Sequence, residues 1–381
     1  MMRAPACVKR PGARALTFAA LAAQLRMVRK IDVEAALTFS LSRRAFGLGV
    51  SAAALAACSP GAGADNVVNI YSARHYDADR ALYAAFEEAT GIAVRVLPAN
   101  AEQLWERLRA EGDATEADLV VAADAGNLWR IKDAGLLQNV TSPALEQGVP
   151  EKLRDPEGAY WGVTKRARVI IYRKDAVQPA QVASYDDLAN PRFRGQIVMR
   201  TSTNTYQLST LSSRIERLGA ENAQAWAAGV RANFARDPQG SDTDQIKAVA
   251  AGEAQATLVN HYYYFRLMRS EDPADREIVD KVGIIFPDQA GAGTHVNISG
   301  AGVTLHAKRR DNAVRLLEYL VSDEAQTLLA PINVEFPIRP AIAAAPDLAA
   351  IGAFKEEELP LDALGRNQAE AARIFEAVGW R

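Results

Sequence analysis

The sequence predicts an α/β fold of two domains, each a mostly parallel sheet flanked by helices. From Val67 to Ala134 the chain alternates extended apolar runs with helical periodicity in the order β-α-β-α-β-α, the pattern of a parallel sheet covered on both faces. At 381 residues, with 49% hydrophobic and 24% charged, it has ordinary globular composition and room for two domains. The extended segment Trp161 to Arg173 reads as a crossover from the first domain to the second.

Val67-Val68-Asn69-Ile70-Tyr71-Ser72 reads as a first buried strand. Asp77 or Asp79 can cap a helix running to Thr90, with Gly91 as its stop. Ile92 to Leu97 alternates apolar and polar residues, as a strand does. Asn100 caps a helix through Leu104, Trp105 and Leu108. Ala117 to Ala122 is the third strand, and Gly126 to Ala134 a helix ended by Gly135, with Asp124 expected to cap it. Beyond the crossover, Gln196 to Met199 is a strand, followed by helices over Thr205 to Leu218, Glu221 to Phe234 and Asp242 to Ala250. Ala256 to Val259, Val282 to Phe286 and Ser299 to His306 are strands, and Asp311 to Val321 and Asp323 to Leu329 are helices. The last forty residues read as helices with Ala-rich connections.

A formal net charge of −2 lacks the basic excess of nucleic-acid binders. No stretch after residue 60 approaches the ~20 apolar residues of a membrane span. The two cysteines, Cys7 and Cys58, precede the folded region, so its domains have neither a disulfide nor a thiolate ligand. Ser42-Arg43-Arg44-Ala45-Phe46 resembles the core of a twin-arginine export signal, and Leu55-Ala56-Ala57-Cys58 a lipobox. Residues 1–57 are thus expected to be a signal peptide, cut before a lipidated Cys58, with 58–65 a tether. Met27 is an alternative start.

In a chain only 7% aromatic, Tyr262-Tyr263-Tyr264 follows Asn260-His261 directly. Far upstream, His75-Tyr76 lies at the carboxyl end of the first strand, where open α/β sheets place ligands. Phenolates with an imidazole are hard donors for a small, highly charged cation, and Fe³⁺ leads the candidates. A half-buried aromatic helix start is the structural alternative for the run. Two adjacent tyrosines converge only at a helix start or bend, where this pattern puts them. The working pair is Tyr262-Tyr263 or Tyr263-Tyr264. His295 and His306 lack metal-like spacing and read as structural or surface residues. Lys165-Arg166-Arg168 reads as a solvated or salt-bridged hinge face, with Arg166 as an anion holder in the rival reading. No nucleophile elbow, Gly-rich nucleotide loop or paired-histidine zinc motif points to an enzyme.

The order of motifs resembles the ferric-iron substrate-binding proteins of bacterial ABC importers, especially the cyanobacterial tyrosine-rich branch. The resemblance rests on Tyr71-Ser72-Ala73-Arg74-His75-Tyr76, Asp124-Ala125-Gly126-Asn127-Leu128, Asn260-His261-Tyr262-Tyr263, and Leu316 to Leu320 with Ser322 to Gln326. It implies a periplasmic-binding-protein type II fold, with 66–164 and 295–381 as one lobe, 165–294 as the other, and hinge strands between them. Carried over, the metal ligands are Tyr76, Tyr206, Tyr262 and Tyr263, with His75 a fifth. Arg266, Arg74 and Arg166 stand nearby to offset phenolate charge or hold a synergistic anion such as carbonate. The implied partner is an ABC permease, with membrane attachment through the lipid anchor, and a monomer is expected. A small organic ligand of the same fold group (polyamine, thiamine or phosphonate) is the alternative cargo.

Overall fold

A computed structural model describes residues 66–74 and 76–381. His75, Cys58 and the expected export signal lie outside the described residues. The first lobe is built as its periodicity predicts. Strand β1 (Val67–Ala73) leads to helix α1 (Asp77–Thr90), β2 (Ala93–Pro98), α2 (Ala101–Glu111), β3 (Leu119–Ala122), α3 (Ala125–Asp133) and α4 (Pro143–Gly148). Asn100 closes a capping box with Gln103, and Asp124 caps α3 by accepting from the Gly126 amide. Gly91 ends α1 with φ 68, a left-handed turn that costs a residue with a Cβ.

Strand β4 (Trp161–Arg173) then crosses to the second lobe. There follow β5 (Ile197–Val198), α5 (Thr205–Leu218), α6 (Ala220–Ala232), α7 (Asp242–Ala251), β6 (Ala256–Asn260), α8 (His261–Met268), α9 (Pro273–Lys281) and β7 (Val282–Ile285). Strand β8 (Val296–Val303) returns to the first lobe, ahead of α10 (Arg310–Leu320), α11 (Asp323–Asn333) and β9 (Phe336–Pro337). Three short helices close the chain: α12 (Pro346–Ala349), α13 (Ala363–Arg366) and α14 (Gln368–Ala377).

The strands run in the order β2-β1-β3-β8-β4-β6-β5, with β7 and β9 also on β4. The expectation of mostly parallel sheets needs correction. Only β1–β2, β1–β3 and β5–β6 are parallel, whereas β8 and β4 pair antiparallel with all their neighbours. A chain that leaves one lobe on β4 and returns on β8 lays these strands antiparallel, so both sheets are mixed. At its first-lobe end β4 pairs with β8 through Arg166↔Asn297 and Ala167↔Val296. At its second-lobe end it pairs with β6 from Arg168↔Asn260 onward.

One core joins β1, β3 and β8 to α1, α3 and α10, through Ile70, Leu82, Phe86, Leu128, Ile298 and Leu316. A second gathers Ile170, Tyr185, Leu211, Trp226 and Leu258. Residues 295–381, expected wholly with the first lobe, send Ala371, Ile374, Phe375 and Trp380 into this second core.

Candidate metal centre

The phenols converge at helix N-termini. Asn260 ends β6 in an extended conformation and α8 starts at the next residue, a bend that turns Tyr262 and Tyr263 the same way, with ring centroids 4.4 Å apart. Tyr206 is the second residue of α5, its amide held by the Asn204 cap at 3.1 Å. Tyr76 is the N-cap residue of α1. The Tyr262 hydroxyl donates to the Tyr206 oxygen at 3.2 Å, and the Tyr76 ring meets Tyr262 edge-on at 6.2 Å. Tyrosines from three helix starts, distant in sequence, thus share one cluster. The unpaired amides at a helix N-terminus favour negative charge there. Among the described residues no three His, Cys, Asp or Glu side chains form a metal-binding group, whereas four phenol oxygens converge here.

Burial holds the phenols of Tyr76, Tyr206 and Tyr262 protonated. It pushes Tyr76 and Tyr262 well above the usual phenol range, with Glu335 adding to the rise at Tyr76 and the neighbouring Tyr76 at Tyr262. Tyr206 is pushed up to about 12 by burial, with Tyr263 adding and Arg166 opposing. Cations surround them. The Arg166, Arg168 and Arg200 guanidinium carbons lie 5.2, 5.9 and 5.7 Å from the centre of the Tyr206 ring. Arg166 pairs with Asp124 at 3.1 Å, while Arg168 and Arg200 both pair with Asp242. Three guanidiniums thus face two carboxylates, leaving one positive charge in excess beside Tyr206. Arg266 lies over Tyr262 at 4.8 Å, Tyr76 at 5.2 Å and Tyr263 at 5.8 Å. The site can therefore take phenolate charge as soon as a strong Lewis acid displaces the protons.

The sequence pattern of the bacterial extracellular solute-binding proteins matches residues 81–356. The chain belongs to that family. It is 44% identical to iron uptake protein A2 of Synechocystis over 351 residues, 91% of this chain and all of that protein. Trichodesmium IdiA (FutA), solved in complex with iron and citrate ligands, superposes with a TM-score of 0.80 at 44% identity, over 83% of this chain and all of the other. The ferric binding protein of Campylobacter jejuni superposes at 0.79 with 42% identity, over 82% and 100% of the two chains. The fold is the two-lobed type II fold of periplasmic binding proteins.

In this solute-binding protein Tyr264 turns away from the cluster. It packs on Phe265, and its phenol is raised by burial and by Asp280 rather than by the other tyrosines of the site. Arg74 is buried, 4.7 Å over the Tyr76 ring, and pairs with Asp79 at 3.1 Å. Arg166 and Arg168 are not a solvated face: both are buried in ion pairs, and Arg166 also donates to the Ile298 carbonyl. Lys165 pairs with Glu356. The sequence reading missed Glu335, a buried carboxylate that accepts from Tyr76 at 3.2 Å and from Thr164. An acidic residue within the apolar run Val334-Glu335-Phe336-Pro337 was the available signal.

His261 is structural in this geometry. It is fully buried, its Nδ1 accepts from the Ala167 amide at 3.1 Å, and its ring stacks on Phe336 at 4.7 Å. Burial holds its pKa down to about 3. A folded pKa below the unfolded value means that the stability from the neutral ring is complete above the unfolded pKa of 6.5 and is lost as pH falls towards 3. The melting temperature of the wild type is therefore expected to fall more steeply across that window than that of His261→Gln. Parallel curves in a thermal-shift series would remove His261 as the cause.

Proposed function

We propose that this protein captures Fe³⁺ between its lobes and delivers it to an ABC permease at the cell envelope. The observation that carries the reading is the convergence of Tyr76, Tyr206, Tyr262 and Tyr263 from three helix starts, under an exposed Arg266 and beside two guanidiniums, Arg168 and Arg200, that share one carboxylate. Four phenolates and Fe³⁺ carry a net charge of −1, which the excess positive charge of Arg168 and Arg200 over Asp242 offsets. His75, one residue from Tyr76, supplies a fifth donor. A small anion such as carbonate would fill a remaining position next to Arg266, and the citrate found with iron in Trichodesmium IdiA supports an anion-assisted site. Cys58 would carry the lipid anchor after twin-arginine export, and the protein would act as a monomer without catalysis.

The organic-cation reading is not favoured, because the pocket's cationic positions are already taken by arginines stacked on the same rings. Titration of the purified protein with a soluble ferric chelate tests the proposal. A visible phenolate-to-iron charge-transfer band saturating at one iron per chain is the expected result. A protein that stays colourless and takes up no iron overturns it.

A further inference from the structure

A second polar site lies at the fork of the hinge strands. Strand β4 pairs with β8 as far as Ala167↔Val296 and with β6, on its other edge, from Arg168↔Asn260 onward, and a wedge lies where the two partners part. A cavity of about 10 Å³ occupies that wedge, lined by Arg166, Arg168, Asn260, His295, Asn297 and Tyr206, among others. Its volume is near the lower bound for one water molecule, roughly 10 Å³.

Two buried atoms in this lining lack partners among the described residues: the Arg168 Nε–H and His295 Nε2. Both side chains are at least nine-tenths buried, Arg168 at 2% exposure and His295 at 3%. The rest of each is fixed. Arg168 donates to Asp242, Asn260 and Gln207 through its terminal nitrogens. His295 Nδ1 lies 2.8 Å from a Glu357 oxygen, and Glu357 also accepts from Ser213. A carboxylate at Nδ1 places the ring proton there and leaves Nε2 as a bare acceptor, the tautomer logic of histidines backed by carboxylates. The lining residues therefore hold one unpartnered donor and one unpartnered acceptor. An anion would need donors on both sides, and a cation acceptors on both; water supplies one of each.

We propose that the fork is a binding site for a single water molecule that accepts from Arg168 Nε–H and donates to His295 Nε2. This water ties β4 to β8 where they part, beside the phenol Tyr206 that the cavity shares with the metal centre. It satisfies two buried polar groups that would otherwise weaken the hinge.

A crystal structure of the metal-free protein, at a resolution that shows ordered water, tests the site independently of the iron reading. One peak within hydrogen-bond reach of both atoms is expected, with no anomalous signal after a bromide soak. A featureless cavity, or bromide in its place, overturns the proposal. In His295→Leu the peak should be lost while Glu357 keeps Ser213, and a peak that persists removes His295 from the site. Should that variant not fold, ¹⁵N NMR of the wild-type histidines decides. A protonated Nδ1 with bare Nε2 is expected for His295, and a proton on Nε2 refutes the arrangement.

Discussion

Tyr262→Phe is expected to weaken Fe³⁺ binding by about 100-fold or more and to remove much of the visible band, with little change in folding. Loss of a partner one shell out from a metal typically costs about 10–100-fold, and a direct anionic donor more. Tyr262 is the hub of the cluster. Its ring touches Tyr76 and Tyr263, its hydroxyl reaches Tyr206, and the side chain is 1% exposed. The substitution keeps the ring and its packing on Phe265 and Leu348 but deletes the oxygen. The folded state loses only the hydroxyl's contacts with Tyr206 and Asn260, worth about 1 kcal/mol. Tyr264→Phe is the control, since its phenol lies outside the cluster, and it should leave affinity and colour unchanged. Competition with a ferric chelator measures both variants. Equal affinity for wild type and Tyr262→Phe would remove the phenolate mechanism and return the run to plain packing.

The elements of this fold are legible where the signal is local. Thr205–Leu218 is helical over its predicted length, Asn100 and Asp124 cap as their positions imply, and Gly91 and Gly252 end helices in left-handed turns. Strand direction is not local. Periodicity marks Trp161–Arg173 and Ala256–Asn260 as strands, yet nothing within either run says that they pair antiparallel. The same limit applies to the site. The tyrosine run and His75-Tyr76 stand out by composition and position. Glu335, by contrast, meets Tyr76 across 259 residues of sequence, and His295 meets Glu357 across 62. The apolar flanks of Glu335 hint at burial, but the partner of either carboxylate emerges only once the fold brings the two together. The choice between Tyr262-Tyr263 and Tyr263-Tyr264 likewise depends on the direction in which α8 leaves β6, which only the three-dimensional arrangement fixes.

Loading iron is expected to release about four protons per ion, one each from Tyr76, Tyr206, Tyr262 and Tyr263, so that apparent affinity rises about four decades per pH unit near neutrality. The sign follows from the direction of the shifts. Burial raises Tyr76, Tyr206 and Tyr262 above the ordinary phenol value of 10, and Tyr206, lowered by Arg166 but still about 12, remains protonated at pH 7. Fe³⁺ binds the anions, so each coordinated oxygen must lose its proton, and every proton added to the solution competes with the metal. A fall of one pH unit then costs the complex about 5.4 kcal/mol. Calorimetry in buffers of different ionisation enthalpy, with the chelator's own protons subtracted, gives the count directly. Tyr206→Phe should lower it by one. A count below one would mean that the phenols stay protonated and that the cation is held otherwise. Acid alone is thus enough to unload the centre, because the burial that keeps the ligand-free phenols neutral also sets how strongly protons compete with iron.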